Sequence, residues 1–376
     1  MKKTILAIML AFAFALFTVP SGGAEEAGRR ELNFRPAREG DIFSVFRYDD
    51  LSIHFLELGN KYTGDCVYIQ YGDVDILIDA GSKQASAATI KAYINKYIRD
   101  GKLEYVIATH AHEDHIAGFY SNGTVTGILE SYRIGEIIDF PKTNSTTNVY
   151  NNYKKARDRA VANGAVHYNA LQCFNNQDGA QRVYDLGGNV KLEILYNYFY
   201  ENKASSENNY SVCVKITQNA NQYIFTGDLE LEGEDRLADF YSKNSGGLGH
   251  CVLYKGGHHG SNTSSNEKLL AAITSEYVCV CTCAGSSEYR ASPPNVFPSQ
   301  AFIDRVAPYT DAVYLTSLVP DFSNNVVMSF NGNILFLVCA GDVTIICSNN
   351  DLKLKDTEWF LNNRQTPPAW AAGGSP

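Results

Sequence analysis

YVIATHAHEDHIAG, residues 105–118, is the stretch that decides the fold of this chain. Its opening YVIAT is apolar and β-branched, which predicts a short buried strand over residues 105–109. The residues that follow include His110, His112, Asp114 and His115. Side chains alternate along extended backbone, so His110 and His112 point to one side, and a turn can fold Asp114 and His115 back over the same point. Asp114 then sits near a helix N-terminus, where backbone N–H groups favour its charge. A solvated polar turn is the plain alternative, but it gives no reason for so dense a run of histidines. Imidazoles with carboxylates suit zinc, manganese or iron.

Outward from this stretch the apolar pattern switches between the two regular periods. Residues 53–58, 66–70 and 74–79 are short, rich in Ile, Val, Leu and Tyr, and separated by Gly-containing turns, which predicts successive antiparallel strands. Residues 85–100 follow a helical period through Ile90, Tyr93, Ile94 and Tyr97, and Gly101 stops them. Downstream, strands are expected over 134–140, 190–196, 212–216, 223–226, 252–254, 277–283, 312–315, 326–330, 334–338 and 343–347. Helices are expected over 151–163, 231–241, 267–273 and 300–306. Interleaving of this kind predicts an α/β fold of mixed sheets covered by helices. Residues 142–152, rich in Asn and Thr, and 285–297, with Ser and Pro, read as long surface loops able to shape a binding site. The expected division is a signal peptide over 1–24, a linker or edge segment over 25–50, one domain over 51–350, and a tail over 351–376, disordered from Thr366 onward.

Five of the eight histidines fall in two places, at His110, His112 and His115 and at His258 and His259. The second pair lies in KGGHHGSNTS, residues 255–264, and IFTGD, ending at Asp228, precedes it. Upstream, ILIDAGS spans residues 76–82 and contains Asp79. HAHEDH, ILIDAGS, IFTGD and GGHHGS in this series resemble the signature motifs of the metallo-β-lactamase superfamily. HHGSNTS, together with IHFLELG at 53–59 and ENNYS at 207–211, resembles the branch typified by the hydrolase domain of ComEC competence proteins. The similarity spans residues 53–315.

This resemblance implies an αββα sandwich, two mixed sheets with helices on the outer faces, and a site that binds one or two divalent metal ions, zinc foremost and manganese as the other choice. One ion would take Asp114, His115, Asp228 and His259, and the other His110, His112 and the shared Asp228. Asp79 would support the metal loop through hydrogen bonds. Asp114 would orient the attacking water, and His258 would act as proton donor or substrate contact beside the ligand His259. Asn209, Ser211 and Ser261 fall in the matching motifs as supporting or substrate residues. The chain departs from the pattern where Asn208 and Asn209 stand in place of a ligand histidine, a loss that the branch shares. It departs again at Phe297-Pro298, where the branch carries His-Pro, and at Glu57 and Asn60. His54 and His167 are candidates to replace the missing ligand, and His250 reads as an ordinary surface or core residue.

Composition bounds the partners. A formal charge of −9 argues against broad capture of nucleic acid, whose phosphates need Lys and Arg. Lys154, Lys155, Arg157 and Arg159 form the nearest basic patch, but Asp158 among them favours a solvated helix face. Residues 1–24, with Lys2, Lys3 and an apolar run too short to span a bilayer, read as a secretory signal, which places the mature chain outside the cytoplasm without a transmembrane segment. Cleavage would make the chain more acidic still. The nine cysteines lie mostly in strand-like runs, so free buried thiols are expected. Cys279, Cys281 and Cys283 alternate onto one strand face, where apolar packing outweighs a soft-metal site.

The expected function is a secreted metal-dependent hydrolase, acting on a small or cell-envelope phosphodiester through a metal-generated hydroxide. A lactone or thioester hydrolase would use the same metals. A secreted binding module that keeps the fold without the chemistry is the reading from another class. Oligomeric state is not encoded in any motif here.

Overall fold

The computed structural model describes residues 50–287, 296–339 and 341–371. The signal peptide and most of the 25–50 segment lie outside them. The described strands form two mixed eight-stranded sheets. The first sheet receives β1 (Leu51–Phe55), β2 (Val67–Tyr71), β3 (Val74–Ile78), β4 (Lys102–Ile107), β5 (Arg133–Asp139) and β6 (Val166–Asn169). The second receives β7 (Val183–Gly187), β8 (Val190–Ile194), β9 (Val214–Gln218), β10 (Asn221–Phe225), β11 (Leu253–Lys255), β12 (Tyr277–Ala284), β13 (Val313–Asp321) and β14 (Val326–Ser329). The chain then returns to the first sheet with β15 (Ile334–Cys339) and β16 (Asp342–Cys347), giving the orders β16-β15-β1-β2-β3-β4-β5-β6 and β14-β13-β12-β11-β10-β9-β8-β7.

Each sheet joins an antiparallel stretch to a parallel one, and in the second sheet β14 adds an antiparallel edge beside β13. The β1-β2-β3 meander pairs Ile53 with Ile69 and Ile69 with Ile76, as the tight turns between them require. From β3 to β6 the strands are parallel, as they are from β10 to β13. Parallel neighbours need long crossovers, and helices supply them: Ser86–Ile94 and Asn148–Ala162 in the first sheet, Leu231–Ser245, Glu267–Ile273 and Gln300–Val306 in the second.

Two-residue periodicity sorts the side chains into layers. On β12, Cys279 and Cys281 join Phe55 and Phe225 in the core between the sheets, while Val278 and Val280 join Leu237, Leu269 and Phe302 under the helices. Each fully buried Val, Leu or Phe contributes about 2 kcal/mol, so both faces of this strand hold layers together. None of the nine cysteines forms a disulfide among the described residues, and seven are buried, as their placement in strand patterns predicts.

Boundaries differ where local hydrogen bonds override periodicity. Thr147 caps the Asn148–Ala162 helix by accepting from Tyr150 N, so the helix starts inside the expected 142–152 loop. The helix expected over 85–100 ends at Ile94, after which Lys96 and Tyr97 make tight turns to Tyr93 and Ile94. β6, β7 and the helix Ala170–Asn175 are too short or too polar to stand out in the sequence. Of the tail expected to be disordered from Thr366, residues 366–371 are described: Pro368–Ala371 is helical, and Trp370 donates its indole N–H to Thr310 O at 3.0 Å. None of the described helices is long and apolar enough to cross a membrane.

Candidate metal centre

The expected site residues lie beyond the carboxyl ends of parallel strands from both sheets. Asp79 follows β3 and the His110–His115 run follows β4, while Asp228 follows β10 and the paired histidines follow β11. Backbone bonds lock the first-sheet turns together: Asp65 N to Asp114 O (3.0 Å), Ala80 N to His115 O (2.8 Å) and Gly81 N to Asp65 O (2.9 Å). A Cβ on Gly81 would sit 2.6 Å from Asp114 O, so this close approach requires glycine.

Four of the expected ligands converge. Asp114, His115, Asp228 and His259 each offer an atom such that all lie within 4.8 Å of one another. His115 Nε2 is 3.1 Å from Asp228 Oδ2, and His259 Nε2 is 3.3 Å from both Asp114 Oδ2 and Asp228 Oδ2. Asp228 Oδ1 and His259 Nε2 are buried yet make no hydrogen bond, which native interiors rarely tolerate without a further partner. Two imidazoles and two carboxylates with orphaned donor atoms fit a divalent cation. A second group of Asp65, Asp79 and His115 is compact as well, and both carboxylate oxygens of Asp65 also lack a hydrogen bond, but Oδ2 of Asp65 faces the Lys255 ammonium and Asp79 is taken up by Thr109 and His115.

His110 and His112 stand beside this group as a pair. Their Nε2 and Nδ1 atoms are 3.0 Å apart, His110 is buried, and His112 is exposed toward solvent. The His110 ring lies 4.1 Å, centroid to centroid, from that of His115. Ser211 links the two halves, since its Oγ accepts from Asp228 N at 3.1 Å and lies 3.5 Å from His110 Nδ1. Asn209 points elsewhere, with its Oδ1 accepting from Glu230 N at 3.2 Å.

Asp79 sits behind His115. It accepts from His115 Nδ1 at 2.7 Å and from Thr109 N and Oγ1, each at 2.8 Å. Its φ of 59° turns the chain at the end of β3 so that the carboxylate faces the histidine. His258 and His259 also occupy the left-handed region, with φ of 44° and 53°. Successive residues on extended backbone point to opposite sides, and this twist lets both reach one cavity. His258 Nε2 is 3.7 Å from Asp228 Oδ2, and its Nδ1 is 2.8 Å from Thr263 Oγ1, which lies 3.0 Å from Ser261 Oγ.

Charge is tightly balanced here. Burial alone would push His115 and His259 down, but Asp228 with Asp79 and Asp114 for the first, and Asp228 with Asp65 for the second, hold both well above the usual histidine value. Burial would raise Asp228 and Asp114, but His115 and His259 keep both carboxyls far below the ordinary range. His110 is pushed well down by burial, with His115 and His112 adding to it, and His258 is lowered by burial against the pull of Asp228.

Several participants escaped the sequence reading. Asp65 and Lys255 form a buried ion pair against the back of the cluster. A lysine ending the buried run CVLYK was the available signal, because such a charge needs a partner. Glu207 ties the 142–147 loop to the histidine run, accepting from Thr143 Oγ1 (2.7 Å), Asn144 N (2.6 Å) and Ala111 N (3.4 Å). Phe297 packs over both His258 and His259, with centroids at 5.9 and 6.3 Å. Most of the expected 285–297 loop lies outside the described residues. Neither proposed substitute ligand reaches the centre: His54 is buried against Tyr93 and Ser52, and His167 pairs with Asp139 at 2.9 Å. Arg157 pairs with the same Asp139 and with Asp158, and Arg159 with Glu130, so much of the basic patch is neutralised internally.

Residues 59–121 match the model of the metallo-beta-lactamase superfamily. Recombination protein 2 of Haemophilus influenzae is 26% identical over 245 residues, covering 65% of this chain and 25% of that protein. Competence protein ComA of Neisseria gonorrhoeae is 38% identical over 77 residues, 20% of this chain and 11% of that one. The chain thus spans a quarter or less of the curated relatives it matches. Among solved structures, the metallo-beta-lactamase fold protein YhfI from Bacillus subtilis aligns over 77% of this chain and 99% of its own, at 11% identity and a TM-score of 0.42.

Proposed function

We propose that this chain, which carries a metallo-β-lactamase superfamily domain, is a metal-dependent hydrolase of phosphodiesters. One observation carries the reading: Asp114, His115, Asp228 and His259 gather their donor atoms within 4.8 Å, with orphaned atoms on two of them. These residues would hold one ion, and His110 and His112, with Asp228 shared, would hold a second. Zinc or manganese in such a centre supplies Lewis acidity toward a phosphoryl oxygen and acidifies water toward neutral pH.

The protein's own groups supply the rest. Asp114 is positioned by the backbone lattice at Gly81 and Asp65 to orient an attacking water. His258 lies 3.7 Å from Asp228 with Thr263 at Nδ1 steadying its ring; burial lowers its pKa, so it would serve as a substrate contact, or as a proton donor where an anionic substrate raises that pKa again. Phe297 excludes water from the paired imidazoles. The negative charge favours a small or cell-envelope phosphodiester over a long duplex, although relatives named for recombination and competence keep nucleic acid in the test panel. Secretion rests on residues 1–24, and N-terminal sequencing of the mature chain checks it.

Purified protein loaded with zinc or manganese should cleave bis-p-nitrophenyl phosphate, and His112→Ala should abolish turnover. Metal-loaded protein inert on a phosphodiester panel but active on lactones or thioesters would move the chain to carbonyl chemistry. Much less than one equivalent of bound metal would favour a binding module, the reading that Asn208 and Asn209 motivate.

A further inference from the structure

Lys255 is 2% exposed, and its Nζ lies 2.5 Å from Oδ2 of Asp65, itself 1% exposed. The ammonium also donates to Gly227 O at 3.3 Å and Gly256 O at 3.4 Å, the carbonyls just before Asp228 and just before the turn of the paired histidines. On its other side, Asp65 Oδ1 is 3.1 Å from His259 Nδ1, and Oδ2 is 3.8 Å from His115 Nδ1. A single ion pair therefore touches the supports of Asp228, His259 and His115. Burying an ion pair brings little stability, and apolar replacements are often tolerated, so packing alone gives no reason for charges at this place.

We propose that Asp65 and Lys255 are positioning residues of the metal centre, an inference that rests on the reading of that centre given above. The Nδ1–H of His259 donates to Cys281 O at 3.0 Å, and Asp65 Oδ1, 3.1 Å from the same nitrogen, adds a negative charge that favours the proton on Nδ1, so that Nε2 is the atom turned to Asp114 and Asp228 for a metal to take. Asp65 thus backs His259 by charge, where Asp79 backs His115 by a hydrogen bond. Lys255 neutralises Asp65 and pins the two second-sheet turns in register, so that the aspartate and the histidine arrive at one point.

The test is zinc affinity of the full chain by chelator competition, with the absorption spectrum of the cobalt-loaded protein as a reporter of ligand geometry. Asp65→Asn and Lys255→Met should each weaken zinc binding by about 10- to 100-fold and alter the cobalt spectrum. Because the two residues act as a unit, the double variant should be no weaker than the poorer single within about threefold. Each single leaves an unpaired buried charge that can prevent folding, whereas the double leaves none and supplies the measurement. A double variant with near-wild-type zinc affinity and an unchanged cobalt spectrum overturns the proposal. So does one that cannot fold, since the pair would then serve the fold. Wild-type protein that takes up no metal overturns both this proposal and the hydrolase reading, and metal uptake without turnover overturns the hydrolase reading alone.

Discussion

Replacing Asp79 by Asn isolates the support behind His115. Asparagine adopts the left-handed backbone at φ 59° about as readily as aspartate, so the turn survives, which alanine would not guarantee. The wild-type carboxylate accepts three bonds, from Thr109 N, Thr109 Oγ1 and His115 Nδ1, all at 2.7–2.8 Å. An amide offers one acceptor oxygen, so if Thr109 N keeps it, an NH2 faces the histidine. His115 must then present a bare Nδ1 and carry its proton on Nε2, the atom aimed at Asp228. A bond to a charged acceptor contributes roughly 1.5–3 kcal/mol against about 1 for a neutral one, and the wrong tautomer adds to that difference. A loss of about 1.4–2.8 kcal/mol corresponds to about 10- to 100-fold weaker metal binding. Zinc titration of the two proteins, with nitrogen NMR of the histidine tautomers, measures it. An affinity within about twofold of wild type with His115 in its original tautomer would refute the reasoning.

Other consequences follow from the same structure. Carboxylates outweigh burial and raise His115 and His259 well above 6.5, so both are protonated at neutral pH until a metal displaces the protons; metal affinity should rise about tenfold per pH unit per proton displaced, read by titration between pH 6 and 7. The sign is opposite for the metal-free fold, which should lose the stability held in those two groups as pH climbs from 6.5 through their raised values, seen in denaturant melts without metal. His54, pushed down to about 3 by burial, is neutral in the fold, so stability present above 6.5 should fall by about 1.4 kcal/mol per pH unit as the unfolded chain takes up the proton; His54→Phe should flatten that acid limb. Trp370→Ala removes a buried indole packed on Phe360 and its bond to Thr310, and should cost about 3 kcal/mol in urea unfolding without changing metal affinity.

Much of this architecture was legible because apolar periodicity is a local signal. The Glu267–Ile273 and Gln300–Val306 helices begin and end where expected, since Asn266 and Ser299 cap them through Leu269 N and Phe302 N. The short β6 and β7 strands were not, because four or five half-polar residues carry no distinct period. The ligand candidates could be named from motif order, and geometry groups four of them while setting His110 and His112 apart. Asp65 and Lys255 escaped for a different reason. The lysine that ends CVLYK calls for a partner, but which residue answers it is a contact between two sheets, and a Gly-Asp has no local signature that tells a partner apart from a turn.

The split of the cage between two sheets has a consequence for biosynthesis. On the ribosome, the first histidine run emerges 113 residues ahead of the aspartate that meets it. Until the later sheet docks, the early imidazoles and carboxylates lack Asp228 and His259, half of the group that converges. The complete cage exists only once the two sheets have met, and the kinetics of ion uptake by that cage would time their closing.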